Sequence, residues 1–211
     1  MSFTTIFSRR EHRSPEVMRD KMWSVANLIT FARGFAAFVF ITIAIRADSR
    51  GWLLAMVGIS MVADICDGVI ARLRCEETIF GAQLDMLIDR FNVTLVAAGN
   101  VFIAGGALVT VVAAFVLWIQ FGVVGLLLSI QFLRYDLWSP DEFHLIDDRV
   151  WRVNWSAVAK VSSNIPVLLL CLGGWCQWLA IGMSISLFCM QGNSYRYLRD
   201  RSLPGMHRGN A

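Results

Sequence analysis

Four aspartates, Asp64, Asp67, Asp85 and Asp89, interrupt stretches that are otherwise apolar. An ionised carboxylate at the bilayer centre costs about 2.5–3.5 kcal/mol even on the lenient insertion scale, so four without partners would cost roughly 10 kcal/mol. A chain keeps them only with counter-charges, a polar cavity, or both. Asp64, Asp67, Gly68 and Ala71 fall at i, i+3, i+4 and i+7, which places them on one helix face; Gly81, Asp85 and Asp89 fall at i, i+4 and i+8 and share another. The short polar connection Arg72–Phe80, with Glu76, Glu77 and Thr78, predicts an antiparallel pair. At about 1.5 Å per residue, Asp67 and Asp85 then reach similar depth, about one turn from the helix ends. Gly68 and Gly81 leave room for close packing or for a ligand backbone.

Carboxylates converging at one depth repel each other, and divalent cations relieve that repulsion. An all-oxygen donor set suits hard ions such as Mg²⁺, Mn²⁺ or Ca²⁺ rather than zinc. None of the three histidines, His12, His144 and His207, lies in an apolar run. Mg²⁺ takes few carboxylates and shares its remaining positions with water and substrate phosphates. The predicted ligand is therefore a phosphate compound that meets the site at the helix ends, beside lipid.

The elements that must position these groups are legible in the composition. Of 211 residues, 56% are hydrophobic and only 17% charged, against about 25% charged in soluble domains. Six apolar segments stand out: Val25–Ile45, Trp52–Ala71, Gly81–Ala104, Ala107–Leu133, Ala157–Leu172 and Cys176–Gly192. Lipid cannot satisfy backbone polar groups, so runs of this kind are predicted to be helices. Barrel strands would alternate in polarity, which these do not. The fold expected is all-α and integral to the membrane, with six transmembrane helices.

Arg46–Gly51, Gly105–Gly106 and Gly173–Trp175 hold few cations, whereas most Lys and Arg lie in the N-terminal segment, at Arg72 and Arg74, in Arg134–Trp155 and in the tail. The positive-inside bias predicts both termini and the longer loops in the cytoplasm. Trp23, Trp138, Trp151 and Trp155 fit that interface, Trp52, Trp175 and Trp178 the far one, and Trp118 neither. A net charge of +3 does not point to nucleic acid. The five cysteines form no CxxC pair and are read as small apolar residues. No cleavable signal peptide is expected, because the first two dozen residues are charged. Residues 1–24 are an interfacial amphipathic helix or a solvated tail, 25–195 the membrane domain and 196–211 a basic cytoplasmic tail.

The stretch Asp64-Ile-Cys-Asp67-Gly68-Val-Ile-Ala71-Arg72, eight further residues, then Gly81-Ala-Gln-Leu-Asp85-Met-Leu-Ile-Asp89 resembles the D-x2-D-G-x2-A-R-x8-G-x3-D-x3-D signature of the CDP-alcohol phosphotransferases at all eight fixed positions. Upstream, Asn27-Leu-Ile-Thr30-Phe-Ala-Arg33 is similar to the family's first helix. The resemblance implies that Asp64, Asp67 and Asp85, helped by Asp89, ligate two Mg²⁺ or Mn²⁺ ions that bind the diphosphate of a CDP-lipid. It further implies that Asp89 is the general base, and that Asn27, Thr30, Arg33, Gly68, Ala71, Arg72 and Gly81 hold the CDP-lipid. Lys160 is similar to a basic position on the fifth helix, although Ser162 and Ser163 stand where other members carry a second Lys and a Thr. Arg134 ends the fourth helix where some members bind an acceptor phosphate; the alternative reading is snorkelling at the interface.

The wording Phe80–Arg90 and Asn27–Arg33 is most similar to phosphatidylinositol synthases, which implies transfer from CDP-diacylglycerol to inositol or inositol phosphate before glycerol phosphate, with release of CMP. The acidic stretch Tyr135–Asp148 matches no acceptor pocket. A bacterial inner membrane location with the site facing the cytoplasm is expected. A homodimer through Gly122 and Gly125 is an option, and so is packing of both glycines within one chain. An intramembrane cation or proton transporter and a non-catalytic family member are the rival readings, since buried carboxylates also mark ion paths.

Overall fold

Ser24 starts the first helix: its hydroxyl accepts from the Asn27 amide at 3.1 Å, and helix α1 runs Val25–Arg46. Helix α2 follows over Arg50–Arg74. Thr78 starts α3, Ile79–Ile103, by accepting from the Gly81 amide at 2.9 Å. Such caps satisfy amides that have no partner inside the helix and so fix where it begins; here they set the register of Asp85 and Asp89. The fourth span is composite, with α4 (Leu108–Leu117), a π-helical segment Trp118–Val124 and α5 (Gly125–Arg134). A 3-10 turn, Pro140–Leu145, leads into α6 (Asp148–Asn154), α7 (Ala157–Leu172) and α8 (Cys176–Asp200).

This computed structural model describes residues 24–74, 78–135, 137 and 139–200. The segment before Ser24 with its expected amphipathic helix, the connection 75–77, the tail 201–211 and the Arg72 side chain lie outside the described residues. No strand occurs among the described residues. Five stretches are long and apolar enough to cross a membrane: Val25–Arg46, Arg50–Ala71, Ile79–Ile103, Leu108–Arg134 and Asp148–Leu172. The sixth expected span, α8, is not among them. Gln177, Ser184, Ser186, Gln191 and Asn193 dilute its apolar character, and it continues as helix through Asp200 into the expected tail.

The polarity of the bundle is distributed as lipid demands. Large apolar side chains such as Leu28, Phe35, Phe38, Ile59, Val62 and Ile65 face outward, while Asn100, Thr110, Gln120, Gln177 and Ser184 are buried inside. The buried polar groups pair across helices. Thr110 and Gln177 bond at 2.9 and 3.1 Å, and the Gln120 amide donates to Gln191 at 3.1 Å. Such bonds hold membrane helices together where hydrocarbon offers no contrast with the core. Gly125 lies against the Gln120 carbonyl and Arg90 of its own chain.

Helix α1 packs most extensively on α2 and α3. Two apolar clusters frame what lies between them. One joins Ala37, Ile41, Leu53, Met56, Val96, Leu117 and Leu170. The other gathers Met86, Leu128, Phe132, Tyr135, Phe143, Trp155 and Leu198 around the connection that follows the fourth span. In that connection Phe143 is fully buried, stacks on Trp155 at 4.3 Å with planes 7° apart, and meets Tyr135 edge-on at 5.8 Å. The Tyr135 hydroxyl donates to the Leu198 carbonyl at 2.7 Å, which ties the connection to α8.

Candidate active site

Asp64 and Asp67 lie seven or more residues before the end of α2, and Asp85 lies six after the start of α3. The antiparallel pairing therefore brings them together. Asp64, Asp67 and Asp85 each present a carboxylate oxygen, and the three atoms lie within 4.8 Å of one another. The donor set fits a hard divalent ion: all oxygen, anionic, and close enough to share one centre.

Arg33 reaches the same point from α1. Its guanidinium donates to Asp64 Oδ1 at 3.0 Å and to Asp85 Oδ1 at 2.6 Å, and lies 3.1 Å from Asp89 Oδ1. The Arg33 side chain is 1% exposed, while those of Asp64, Asp85 and Asp89 are 41%, 39% and 32% exposed. The carboxylates thus turn one oxygen to a buried cation and keep accessible surface for a ligand. Asp67 is held differently: the Thr30 hydroxyl donates to its Oδ2 at 2.8 Å. One face of α1 therefore supports the quartet through Thr30 and, three residues on, Arg33.

The four aspartates and Thr30 line a cavity of about 420 Å³. Of the positions expected to hold a CDP-lipid, Thr30, Gly68, Ala71 and Gly81 are on its wall. Asn27 and Arg33 are not on that wall; both are buried behind it. A Cβ at Gly81 would stand 2.7 Å from Asn27 Oδ1 and 3.0 Å from Thr78 Oγ1, so a glycine is what lets α3 start this close to α1. Of the two expected acceptor residues, Lys160 lines the cavity. Arg134 does not; it donates to the Arg199 carbonyl at 2.9 Å.

Several wall residues escaped sequence reasoning. Arg90 lies in the wall, donates to Ser129 Oγ at 3.1 Å and sits 5.0 Å from the centre of the Phe121 ring. Phe121 belongs to the π-helical segment, a feature frequently found at functional sites. Ser139, Asp141 and Glu142 also reach the wall, from the acidic stretch that had no assignment. Their only sequence signal is that acidity between two apolar spans.

A helical bundle with apolar outer faces and a carboxylate-lined cavity among its spans is the build of an integral membrane protein. The chain belongs to the CDP-alcohol phosphatidyltransferase family, whose profile matches residues 23–187, and it is thereby a member of an enzyme family. Over 82 residues it is 30% identical to proteins named "Putative cardiolipin synthase" from Mycobacterium bovis and from two strains of Mycobacterium tuberculosis. That match covers 39% of this chain and 39% of each relative, so it spans well under half the length of the curated relatives. No solved structure matches the chain significantly.

Proposed function

We propose that this protein transfers the phosphatidyl group of CDP-diacylglycerol to the hydroxyl of an alcohol, releasing CMP. The observation that carries the reading is the convergence of the signature carboxylates on one cavity wall, with Arg33 behind three of them. In the proposed step the acceptor oxygen attacks the phosphorus that bears the diacylglycerol oxygen. The bond from that phosphorus to the bridging oxygen breaks, its electron pair leaves with CMP, and the acceptor proton passes to Asp89. Divalent ions held by Asp64, Asp67 and Asp85, with help from Asp89, supply charge neutralisation for the diphosphate. Arg33 orients the carboxylates, Thr30 fixes Asp67, and Gly68, Ala71 and Gly81 leave room for the nucleotide. Placing the groups before reaction and matching charge where it develops is what phosphoryl transfer asks of a protein.

The acceptor reading from sequence is inositol or inositol phosphate, then glycerol phosphate. The name of the mycobacterial relatives favours a second reading, in which a lipid headgroup is the acceptor. In this proposal α8 is the sixth span, both termini and the cavity mouth face the cytoplasm of a bacterial cell, residues 25–195 form the membrane domain, and the protein functions alone or as a homodimer.

The test is CMP release from CDP-diacylglycerol by the purified full-length protein in detergent, with and without an alcohol. Acceptor-dependent CMP that stops on thorough chelation and resumes with Mg²⁺ or Mn²⁺ is the expected result. Turnover that survives chelation would refute the metal site. Vesicles that move Mg²⁺ while making no CMP would favour a transporter.

A further inference from the structure

The acidic stretch after the fourth span becomes intelligible through one ion pair. Lys160, on α7, places its ammonium 2.8 Å from Asp141 Oδ1 and 3.1 Å from Asp141 Oδ2. Both residues line the cavity that holds the four aspartates. A lysine on such a wall is the natural receptor for a phosphate, but here both oxygens of one carboxylate already engage it. Asp141 is not on a loose loop: it sits in the 3-10 turn whose Phe143, two residues on, is locked between Trp155 and Tyr135.

The charge of the whole wall points the same way. Among the described residues lining the cavity, Asp64, Asp67, Asp85, Asp89, Asp141 and Glu142 are acidic, and only Arg90 and Lys160 are basic; Arg33 adds one cation from behind. Two divalent ions and the diphosphate of a CDP-lipid bring this set close to balance. A phosphomonoester acceptor would add about two further negative charges, and the described residues of the wall hold no further cation for them. A hydroxyl-rich, uncharged acceptor adds none. Ser163 and Asn164 line the same cavity; with their hydroxyl and amide each donating to the Lys160 carbonyl, Ser163 Oγ and Asn164 Oδ1 remain as neutral acceptors for hydroxyls.

We infer that the acceptor presents an uncharged polyol to this cavity, free or as the headgroup of a lipid, and that Asp141, by holding Lys160, disfavours phosphorylated acceptors. This rests on the phosphatidyl-transfer reading above. Asp141 is in this role a specificity residue that acts through Lys160, not a catalytic one.

The test uses the full-length protein in mixed micelles with CDP-diacylglycerol, following CMP release with inositol, glycerol and phosphatidylglycerol and with inositol phosphate and glycerol 3-phosphate. At least one unphosphorylated acceptor is expected to exceed its phosphorylated counterpart by about tenfold or more in kcat/KM, because like-charge juxtaposition suppresses a wrong partner. Activity with phosphatidylglycerol but not with free polyols assigns the polyol to a lipid headgroup; the converse assigns a soluble acceptor. Asp141→Asn is expected to shift the ratio about tenfold toward the phosphorylated acceptor through KM rather than kcat, and Asp141→Glu to keep the wild-type ratio. Preference of the wild-type protein for a phosphorylated acceptor overturns this inference and leaves the transfer reading standing, and that comparison decides the matter even where a variant fails to fold. CMP release with no acceptor in the panel overturns both.

Discussion

The Arg33 guanidinium stands 2.6 Å from the Asp85 carboxylate, although 52 residues separate them in the chain. The same guanidinium meets Asp64 and Asp89, so one buried cation from α1 ties the end of α2 to the start of α3. The electrostatics of the site and the packing of its three helices are therefore a single problem.

Removing that cation leaves three acids facing each other across the helix seam. Breaking a buried pair by deleting one partner costs about 3–5 kcal/mol, and partial exposure of the carboxylates places Arg33→Gln toward the lower end of that range. The variant is expected to melt at lower temperature in detergent, with a smaller deficit when Mn²⁺ is present. Arg33→Lys recovers little, because an ammonium lacks the planar fork that spans several carboxylates. A melting curve for Arg33→Gln that matches wild type without metal would sink this account.

Thr30 was expected to touch the CDP-lipid, and it does line the cavity, but its hydroxyl is spent on Asp67. Groups that orient a metal ligand typically carry tenfold to hundredfold in affinity, so Thr30→Val is expected to weaken Mn²⁺ binding by about tenfold. Thr30→Ser keeps the hydroxyl and should restore it. Electron paramagnetic resonance titration of free Mn²⁺ reads this directly, and equal affinity in all three proteins would remove Thr30 from the site.

Asp89 carries the proton in the proposed step. Positioned general bases contribute about 10²–10⁴-fold, so Asp89→Asn is expected to lose that much in kcat while CDP-lipid binding largely survives. Parallel binding and CMP-release assays separate the two effects; full turnover in the variant would take the base role away from Asp89.

Phe143 secures the turn that carries Asp141 and Glu142. Truncating a fully buried phenylalanine costs about 3–5 kcal/mol. Phe143→Ala is expected to lower the melting temperature and to raise the acceptor KM more than the affinity for CDP-lipid. A variant in which donor binding fails first would place the turn on the other substrate.

The aspartates and their shared face were legible because helical periodicity is local: spacings of three and four residues dictate a common side whatever the bundle does later. The same holds for five of the six expected spans, since apolar length alone forces helix in lipid. Segments predicted at Val25–Ile45 and Ala157–Leu172 end within a residue of α1 and α7. The composite fourth span was not legible, because a π-helical segment changes hydrogen bonding without changing composition.

Sequence alone thus determined that the four carboxylates sit in helices and which of them share a face, because each of those properties is decided within a few residues of chain. Only the tertiary structure decided what stands behind and across from them. Arg33 and Asn27 are buried supports and not cavity wall, Arg134 points to the Arg199 carbonyl, and an acidic turn more than 70 residues beyond Asp67 closes on Lys160. Those outcomes depend on which helices pack together and at what height, and no local spacing encodes that.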